Sequence, residues 1–264
     1  MNKLNKNIIS FIGAGPGDPD LLTIKGMRSL SKADIIFYDA LIDIEKFKKI
    51  NEKAKWSYVG KRAGKVSIDQ KIICRLLVNY YRRGLNVVRL KGGDPTIFGR
   101  LTEEIDILSS NKIPYEIVPG ISAGQSCAAE LGVSLTERNV SRSICFLTPS
   151  VSKNSAVENE WLKSVLNCQT SVLYMAGKQI RVLGNLLIKK GMSPDMPVAI
   201  IENTSRESKK VITQLAELNH HDKTRSGPVC IVIGEILKNY LHDEKPLERV
   251  ESRRRKKYEL TNAA

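Results

Sequence analysis

Three glycines near the N-terminus, Gly13, Gly15 and Gly17, are the first residues whose spacing suggests chemistry. They follow the apolar run 8–12, which predicts a buried strand, and the next helix is expected to begin at Thr23. Glycine has no side chain to block a ligand, so a glycine loop after a strand lets the backbone approach a cofactor closely. The loop therefore predicts a cofactor site.

A dinucleotide is one candidate ligand, because Asp39 lies where an NAD site keeps the acidic residue that binds the ribose. Two residues oppose this interpretation. The third glycine of the G-x-G-x-x-G pattern would fall on Asp18, and Pro16 removes a backbone N–H from the turn. A loop with fewer amides and an added carboxylate suits a diphosphate poorly, so we disfavour a nicotinamide-dependent oxidoreductase.

A second glycine loop, Gly92-Gly93-Asp94-Pro95, follows the apolar run 86–90. The two glycines again permit close approach of a ligand, and the Asp94 carboxylate can accept hydrogen bonds from hydroxyl or ammonium groups and suits a cation. A plain turn would explain this loop if it stood alone. Its place after a predicted buried strand, beside a first loop of the same kind, favours binding.

Ionisable residues follow or interrupt the same predicted strands. Asp39 ends the run 34–38 and Lys61 follows the run 56–59, so both are expected at the carboxyl edge of the sheet, where such folds bind ligands. Asp39 could instead be a turn or cap residue, and Lys61 could anchor a carboxylate without any acid–base role. Three further residues form a second group that either binds carboxylates or, for the last two, makes an ion pair on one helix face: Arg89, Arg100 and Glu103.

The elements that must position these residues alternate between strand and helix. In the first half, buried strands are predicted at 8–12, 34–38, 56–59, 86–90 and 115–118, with helices at 23–33, at 103–109, and from a capping box Ser67-x-x-Gln70 to Gly84. In the second half, helices are predicted at 123–131 and 179–189, and strands at 143–147, 171–175, 198–202, 210–213 and 229–233. The strands 198–202 and 210–213 are close enough to be antiparallel.

This pattern predicts two α/β domains that change character near Pro119-Gly120. We expect an N-terminal domain with a parallel sheet at 1–121 and a C-terminal domain with a mixed sheet at 122–242, with ligands bound in the cleft between them. The residues 243–264 are expected to form a basic, flexible tail.

The formal net charge of +14 suits a polyanionic partner, either nucleic acid or a small molecule with several carboxylates, although a lysine-rich solvated surface explains it equally well. No aromatic and basic platform for nucleic acid appears, so we expect none to bind. No apolar stretch reaches the roughly 18 residues of a membrane span, and no secretory signal is recognisable, which predicts a cytoplasmic enzyme without membrane contact. The five cysteines lie far apart, and we expect neither disulfides nor a metal.

The run 12–26 resembles the first signature of the tetrapyrrole methylase family. The run 87–95 resembles the second, and it continues through Phe98-Gly99-Arg100 to 118–120. The loop 60–64, with Arg138 farther on, looks like the branch of that family that methylates uroporphyrinogen III. The resemblance extends over about 7–237. It implies the two-domain α/β fold, a homodimer, and S-adenosyl-L-methionine as methyl donor with S-adenosyl-L-homocysteine as product.

The resemblance also implies a reaction, which is methylation of two pyrrole carbons (C2 and C7) of uroporphyrinogen III to give precorrin-2 for sirohaem or cobalamin. It gives the proton-acceptor role to Asp39 and the proton-donor role to Lys61, with Arg89, Arg100 and Glu103 beside them. Arg62 and Arg138 are weaker candidates for binding the substrate carboxylates. The cofactor set that it implies is Pro16, Gly92, Gly93, Asp94, Ile97, Ser122, Ala123, Met175 and Thr204.

Two departures from the family pattern keep alternatives open. Relatives usually carry Gly-Gly where this chain has Leu101-Thr102, so bulk at Leu101 is expected to narrow the tetrapyrrole side of the cleft. Thr204 stands where a small residue is usual. The alternatives are a family methylase acting on a later precorrin or on ribosomal RNA, and a noncatalytic relative that binds the cofactor.

Overall fold

The computed structural model describes residues 7–60, 69–149, 160–222, 225 and 227–241. The chain forms two compact units. The N-terminal unit contains Met1–Cys127 and Glu202–Lys209, and the C-terminal unit contains Ala128–Ile201 and Lys210–Ala264. The division falls after Cys127, whereas the sequence led us to expect it after residue 121.

The N-terminal unit holds a five-stranded sheet in the order β3-β2-β4-β1-β5. Every pair of neighbouring strands in it is parallel, as predicted. In chain order its elements are β1 (Ile9–Gly13), α1 (Ile24–Leu30), β2 (Ile35–Tyr38), α2 (Ile44–Lys48), β3 (Lys55–Tyr58), α3 (Gln70–Arg82), β4 (Val87–Lys91), α4 (Leu101–Ser110) and β5 (Tyr115–Val118). Helix α5 (Ala123–Leu131) follows, and the division after Cys127 falls within it. The short helix α2 was not predicted.

Both faces of this sheet are covered, which explains why its strands read as continuous apolar runs. Successive side chains point to opposite faces of a strand. Phe11 and Phe37 therefore pack with buried residues of α3 and α4, whereas Ile12 and Ile36 pack with Leu30 of α1 and its neighbours on the other face. Arg89 and Lys91 share the side-chain direction of Val87 on β4, so they point toward the face that α3 and α4 cover.

Helix α3 begins at a different cap from the one predicted. Asp69 is its N-cap, and the side chain of Asp69 accepts a hydrogen bond of 3.0 Å from the backbone N–H of Lys71. The predicted capping box, with Ser67 as the cap, is therefore wrong, because the aspartate two residues later satisfies a free N–H of the first turn. Ser67 itself lies outside the described residues.

The C-terminal unit holds a second five-stranded sheet in the order β6-β7-β10-β8-β9. Strands β6 and β7 are parallel and β10 is antiparallel to β7, so the sheet is mixed, as predicted. Its elements are β6 (Ile144–Leu147), α6 (Glu160–Asn167), β7 (Thr170–Tyr174), α7 (Ile180–Lys189), β8 (Pro197–Glu202), β9 (Lys209–Gln214) and β10 (Val229–Ile233). Helix α6 was not predicted.

The core of the C-terminal unit is apolar. Leu183 and Leu187 of α7 pack on Leu173 of β7 and Ile231 of β10, and all four side chains are buried. A short helix at Leu215–His221 adds Leu215 and Leu218 to the same cluster. Among the helices of the described ranges, none has the length and apolar character needed to cross a membrane.

Candidate active site

The carboxyl ends of β1 and β4 are the natural binding edge of the N-terminal sheet. These two strands are neighbours, and the chain leaves them in opposite directions, from β1 toward β2 and from β4 toward β5. Sheets of this kind bind ligands outside the strand ends where the direction of winding reverses. The two glycine loops of the sequence follow these two strands.

The two glycine loops are joined through their backbones. The N–H of Gly93 donates to the carbonyl of Gly15 at 2.7 Å, and the N–H of Gly15 donates back to the carbonyl of Gly93 at 3.2 Å. The N–H of Ala14 adds a bond of 2.8 Å to the carbonyl of Lys91. The two signature loops, separated by about eighty residues in the chain, are thus one hydrogen-bonded structure.

Three glycines meet at this edge, and we call Gly13, Gly93 and Gly120 the glycine contact. Their close approach leaves no room for a side chain at Gly13 or at Gly120. A β-carbon on Gly120 would lie 2.3 Å from the carbonyl oxygen of Gly93 and 2.7 Å from the Cα of Gly13. Asp94 fastens the same place, because its Oδ2 accepts a hydrogen bond of 2.9 Å from the N–H of Gly120. Asp94 Oδ1 accepts a second bond, of 2.7 Å, from the N–H of Thr96.

Open space lies beside Gly93, which has a left-handed backbone with φ of +68°. A β-carbon there would meet nothing nearer than the backbone nitrogen of Ala123 at 3.9 Å and the Cα of Ser122 at 4.0 Å. At Gly92, a β-carbon would make only ordinary contact with Leu41, at 3.4 Å. The structure therefore brings three residues of the predicted cofactor set, Gly93, Ser122 and Ala123, around one space that a side chain would fill.

The segment 203–206 supplies the last described part of this edge. The Thr204 hydroxyl donates to Ser126 Oγ at 3.0 Å, and Ser126 Oγ lies 2.5 Å from Ser205 Oγ. The side chain of Arg206 lies across Gly17, where a β-carbon would approach its Nε to 2.4 Å. Thr204 is buried and its hydroxyl bonds to Ser126, so a threonine side chain fits at this position.

Asp39, directly after β2, is held by a buried arginine. Its Oδ1 accepts a hydrogen bond of 2.6 Å from Nη2 of Arg89, whose side chain is 3% exposed, while that of Asp39 is 28% exposed. Arg89 also donates to the carbonyl oxygens of Phe37 and Leu90, at 3.4 and 3.3 Å. The Asp39 carboxylate is therefore partly exposed, and the buried guanidinium of Arg89 holds it in place.

Glu104 of α4 completes a buried charge network with these groups. Its Oε1 accepts hydrogen bonds from Arg89 Nε and Lys91 Nζ, both at 3.1 Å, and from Gln70 Nε2 at 2.8 Å. Burial and the neighbouring Arg89 lower the pKa of Lys91, against the opposing effect of Glu104. Burial also opposes the charge of Arg89, but Asp39 and Glu104 outweigh it and raise the pKa of Arg89.

Two arginines predicted to bind carboxylates have different surroundings in the structure. We expected Arg89 to bind a substrate carboxylate, but its guanidinium is buried and bonded to Asp39 and Glu104, so it supports Asp39 instead. Arg100 forms a bidentate ion pair with Glu103, with both distances 2.7 Å, and each of the two side chains is about half exposed. This is the helix-face ion pair that the spacing of three residues left open.

The structure places the remaining predicted residues as follows. Pro16 and Ile97 are half-buried in the N-terminal unit, and the N–H of Ile97 donates to the carbonyl of Asp94 at 3.2 Å. Met175 and Arg138 are exposed residues of the C-terminal unit, and Met175 has a left-handed backbone with φ of +55°. Lys61 and Arg62 lie outside the described residues. No group of metal ligands occurs in the described part of the chain.

The concern about Leu101 is resolved by its burial. Leu101 packs into the cluster between the sheet, α3 and α4, with Leu77 and Leu108, and is 9% exposed. Its bulk therefore fills the core of the N-terminal unit, and the expected narrowing of the substrate site is wrong.

Glu104 and Lys91 are the site residues that the sequence reasoning missed. A signal was present, because Leu101, Glu104 and Leu108 recur at the spacing of a buried helical stripe. A glutamate in such a stripe faces the core and requires a cationic partner there. The charged residues of the apolar run 87–91 were the natural candidates.

A model of the tetrapyrrole (corrin/porphyrin) methylases matches residues 9–219 of the chain. The chain belongs to this family. It is 40% identical to the siroheme synthase of Vesicomyosocius okutanii subsp. Calyptogena okutanii over 233 residues, which are 87% of the chain and 50% of that protein. It is also 40% identical to siroheme synthase 2 of Cronobacter sakazakii, over 87% of the chain and 50% of that protein. The chain thus spans about half the length of these curated relatives.

Solved structures support the same family. The uroporphyrin III C-methyl transferase of Thermus thermophilus superposes with a TM-score of 0.75 and 27% identity, over 92% of this chain and 98% of that one. A structure of the Thermus enzyme complexed with S-adenyl homocysteine gives a TM-score of 0.74 at 28% identity, over 88% and 100% of the two chains. A cobalt precorrin-4 methyltransferase gives 0.76 at 28% identity, over 87% and 95%.

Proposed function

We propose that the protein methylates two ring carbons of uroporphyrinogen III with S-adenosyl-L-methionine, giving precorrin-2 and two molecules of S-adenosyl-L-homocysteine. The observation that carries this proposal is the partly exposed Asp39 carboxylate, held by buried Arg89 at the same sheet edge as the joined glycine loops. The Thermus neighbours, named as uroporphyrin III C-methyl transferases, support this choice of substrate. The relatives named siroheme synthases favour sirohaem as the end product.

The residues around Gly93 fit S-adenosyl-L-methionine. The space beside Gly93 is bordered by the backbone of Ser122 and Ala123, and Asp94 brings a carboxylate to the same loop. A carboxylate suits a sulfonium cation, and the loop offers no diphosphate cradle because Pro16 lacks an N–H. We propose that Pro16, Gly92, Gly93, Asp94, Ile97, Ser122, Ala123, Met175 and Thr204 hold the donor. When bound, S-adenosyl-L-methionine supplies a methyl group that its sulfonium makes electrophilic.

We further propose that Asp39 accepts the proton that leaves the macrocycle as a ring carbon becomes nucleophilic. A general base must be fixed within hydrogen-bond reach of its proton and must keep a free lone pair. Arg89 occupies Oδ1 of Asp39 and fixes the carboxylate, and the partial exposure of Asp39 leaves room for a substrate. We also propose that Lys61 is the proton donor, and that Arg100 and Glu103 lie near the substrate carboxylates. The proposal further includes a homodimer and a cytoplasmic location.

The test is anaerobic incubation of the pure protein with uroporphyrinogen III and methyl-labelled S-adenosyl-L-methionine. We expect two labelled methyl groups per tetrapyrrole. Asp39→Asn should lower kcat by about 10²–10⁴-fold, the usual contribution of general base catalysis, with little change in donor affinity. Asp43→Asn is the matched control, since this aspartate lies on the same connection after β2 and pairs only loosely with Lys46, at 3.8 Å.

Two outcomes would contradict the proposal. Tight binding of the donor without a dimethylated product would contradict the activity. Methylation of a cobalt-precorrin but not of uroporphyrinogen III would show that the protein acts on a different substrate of the same family.

A further inference from the structure

We propose that Glu104 is a positioning residue that shares the guanidinium of Arg89 with Asp39, and that Glu104 and Lys91 together set how readily the Asp39 carboxylate takes a proton. This inference rests on the proposed function of Asp39 as proton acceptor. Glu104 does not contact the exposed side of Asp39; it acts through Arg89, which joins the two carboxylates with bonds of 2.6 and 3.1 Å.

Burial is the first argument, because three of the four charged groups are almost entirely removed from water. The side chain of Glu104 is 0% exposed, and those of Arg89 and Lys91 are 3% exposed. An unpaired charge in such a place costs several kcal/mol, whereas paired and hydrogen-bonded charges can be retained. Two carboxylates and two cations balance here, so the state of each group depends on the other three.

The sharing of Arg89 is the second argument. A carboxylate that has a buried arginine to itself loses much of its affinity for a proton. Arg89 instead gives Nη2 to Asp39 and Nε to Glu104, so its charge is divided between two acceptors. Lys91 contacts Glu104 and does not contact Asp39 directly, so it neutralises the far end of the network. Asp39 is therefore fixed in position by a cation that it shares with Glu104.

The hydrogen bonds of Glu104 make an isosteric test possible. All three donors to this carboxylate end at Oε1, whereas Oε2 is buried and has no hydrogen-bond partner among the described residues. A glutamine can therefore keep its carbonyl at Oε1 and place its amide at the position of Oε2 without facing a donor. Glu104→Gln removes the charge while leaving the shape and the accepted bonds in place.

The other ionisable groups of the described region around this network are few. They are Glu103 of α4, Arg100 at the N-cap of α4, which interacts electrostatically with Glu104, and Cys74 of α3, whose thiol donates to the carbonyl of Glu103 at 3.6 Å. Burial, followed by Glu104 and Glu103, raises the pKa of Cys74, so this thiol is neutral and adds no charge. Glu103 is paired with Arg100 on the surface. Among the described residues, the charges joined to Asp39 by this network are thus Arg89, Glu104 and Lys91.

The test is a pH titration of the Asp39 carboxyl carbon by NMR, in ligand-free protein labelled with 13C at the aspartate side chains. Asp39→Asn assigns the signal by its loss. In Glu104→Gln an anion disappears from the network, so the titration midpoint should fall by about one pH unit. In Lys91→Met a cation disappears, so the midpoint should rise by a similar amount. Opposite shifts of this kind are not produced by a side chain that only fills space.

Two further variants complete the design. Glu104→Asp keeps the charge and should return the midpoint toward that of the unmodified protein. Asp106→Asn is the matched control, because Asp106 is an exposed carboxylate on the same helix and should leave the midpoint unchanged. Should Glu104→Gln not fold, the rise expected in Lys91→Met tests the same linkage. Unchanged midpoints in every folded network variant would overturn the proposal.

Enzyme assays separate this inference from the proposed function. The acidic limb of the kcat profile should move in the same direction as the NMR midpoint in each variant, with KM for the tetrapyrrole little changed. If the unmodified protein does not methylate uroporphyrinogen III, the proposed function fails, while the titration of ligand-free protein still decides whether Glu104 and Lys91 control Asp39.

Discussion

The central strand of the N-terminal sheet and the central strand of the C-terminal sheet are both buried, but they bury different chemistry. Strand β4 carries Arg89 and Lys91 among its apolar residues, whereas β10 consists of valine, isoleucine and cysteine alone. A buried ion pair is weak evidence for stability, because hydrophobic residues of similar volume often stabilise as well or better. The N-terminal sheet therefore keeps charges for positioning, and the C-terminal sheet is organised by packing.

The largest expected effect tests the packing side of this comparison. Leu173→Ala removes a fully buried side chain from the C-terminal core and should lower the free energy of unfolding by about 2–5 kcal/mol. Chemical denaturation measures this loss, and Leu166→Ala, at a position that is 37% exposed, should cost much less. Donor affinity of the folded Leu173→Ala protein should stay within a few-fold. A tenfold weakening would show that packing and binding are not separable.

The second prediction compares one glycine from each unit. Gly93 and Gly191 both have left-handed backbones, and a β-carbon added at either position would have no atom closer than 3.9 Å. Alanine at either position should cost about 1–2 kcal/mol of stability through backbone strain alone. Only Gly93→Ala should also weaken binding of S-adenosyl-L-methionine, by tenfold or more in calorimetry. Equal affinities of the two variants for S-adenosyl-L-methionine would show that the space beside Gly93 is not part of the donor site.

The smallest expected change in stability concerns the exposed pair of Arg100 and Glu103. Arg100→Gln should alter the free energy of unfolding by less than about 1 kcal/mol, because surface ion pairs contribute little. If Arg100 meets a substrate carboxylate, KM for the tetrapyrrole should rise several-fold while donor affinity stays constant. Lys163→Gln, in an exposed pair with Glu160 in the C-terminal unit, is the control and should change neither. An unaltered KM in Arg100→Gln would show that Arg100 does not bind the substrate and only forms the ion pair with Glu103.

The sequence predicted most of the regular structure because its apolar periodicity is strong. Helix α5 and strand β10 begin and end at the predicted residues, and the parallel and mixed sheets follow from the order of strands and helices. Helix α2 was missed because a five-residue helix leaves little periodicity to detect. The cap of α3 was misplaced because Ser67 and Asp69 both satisfy the sequence preference for a cap, and only the backbone distinguishes them.

The site was harder to predict than the fold, since it depends on contacts between distant parts of the chain. The glycine loops could be recognised as binding loops, but their mutual hydrogen bonds depend on the strand order. Arg89 was assigned to substrate because an arginine near a predicted site reads as a carboxylate ligand. Its true partners, Asp39 and Glu104, are 50 and 15 residues away in the chain, and only the fold brings them together.

The glycine contact has a consequence for anyone who would redesign this protein toward another macrocycle. At Gly13 and Gly120 a single added methyl group would collide with main-chain atoms, so no codon for another amino acid is acceptable there. A mutational library should hold these positions constant and place its diversity at exposed side chains beside the loops, such as Leu41, which lies next to Gly92. The close backbone contacts that fix the spacing of the two loops therefore also determine which positions of the chain can be varied.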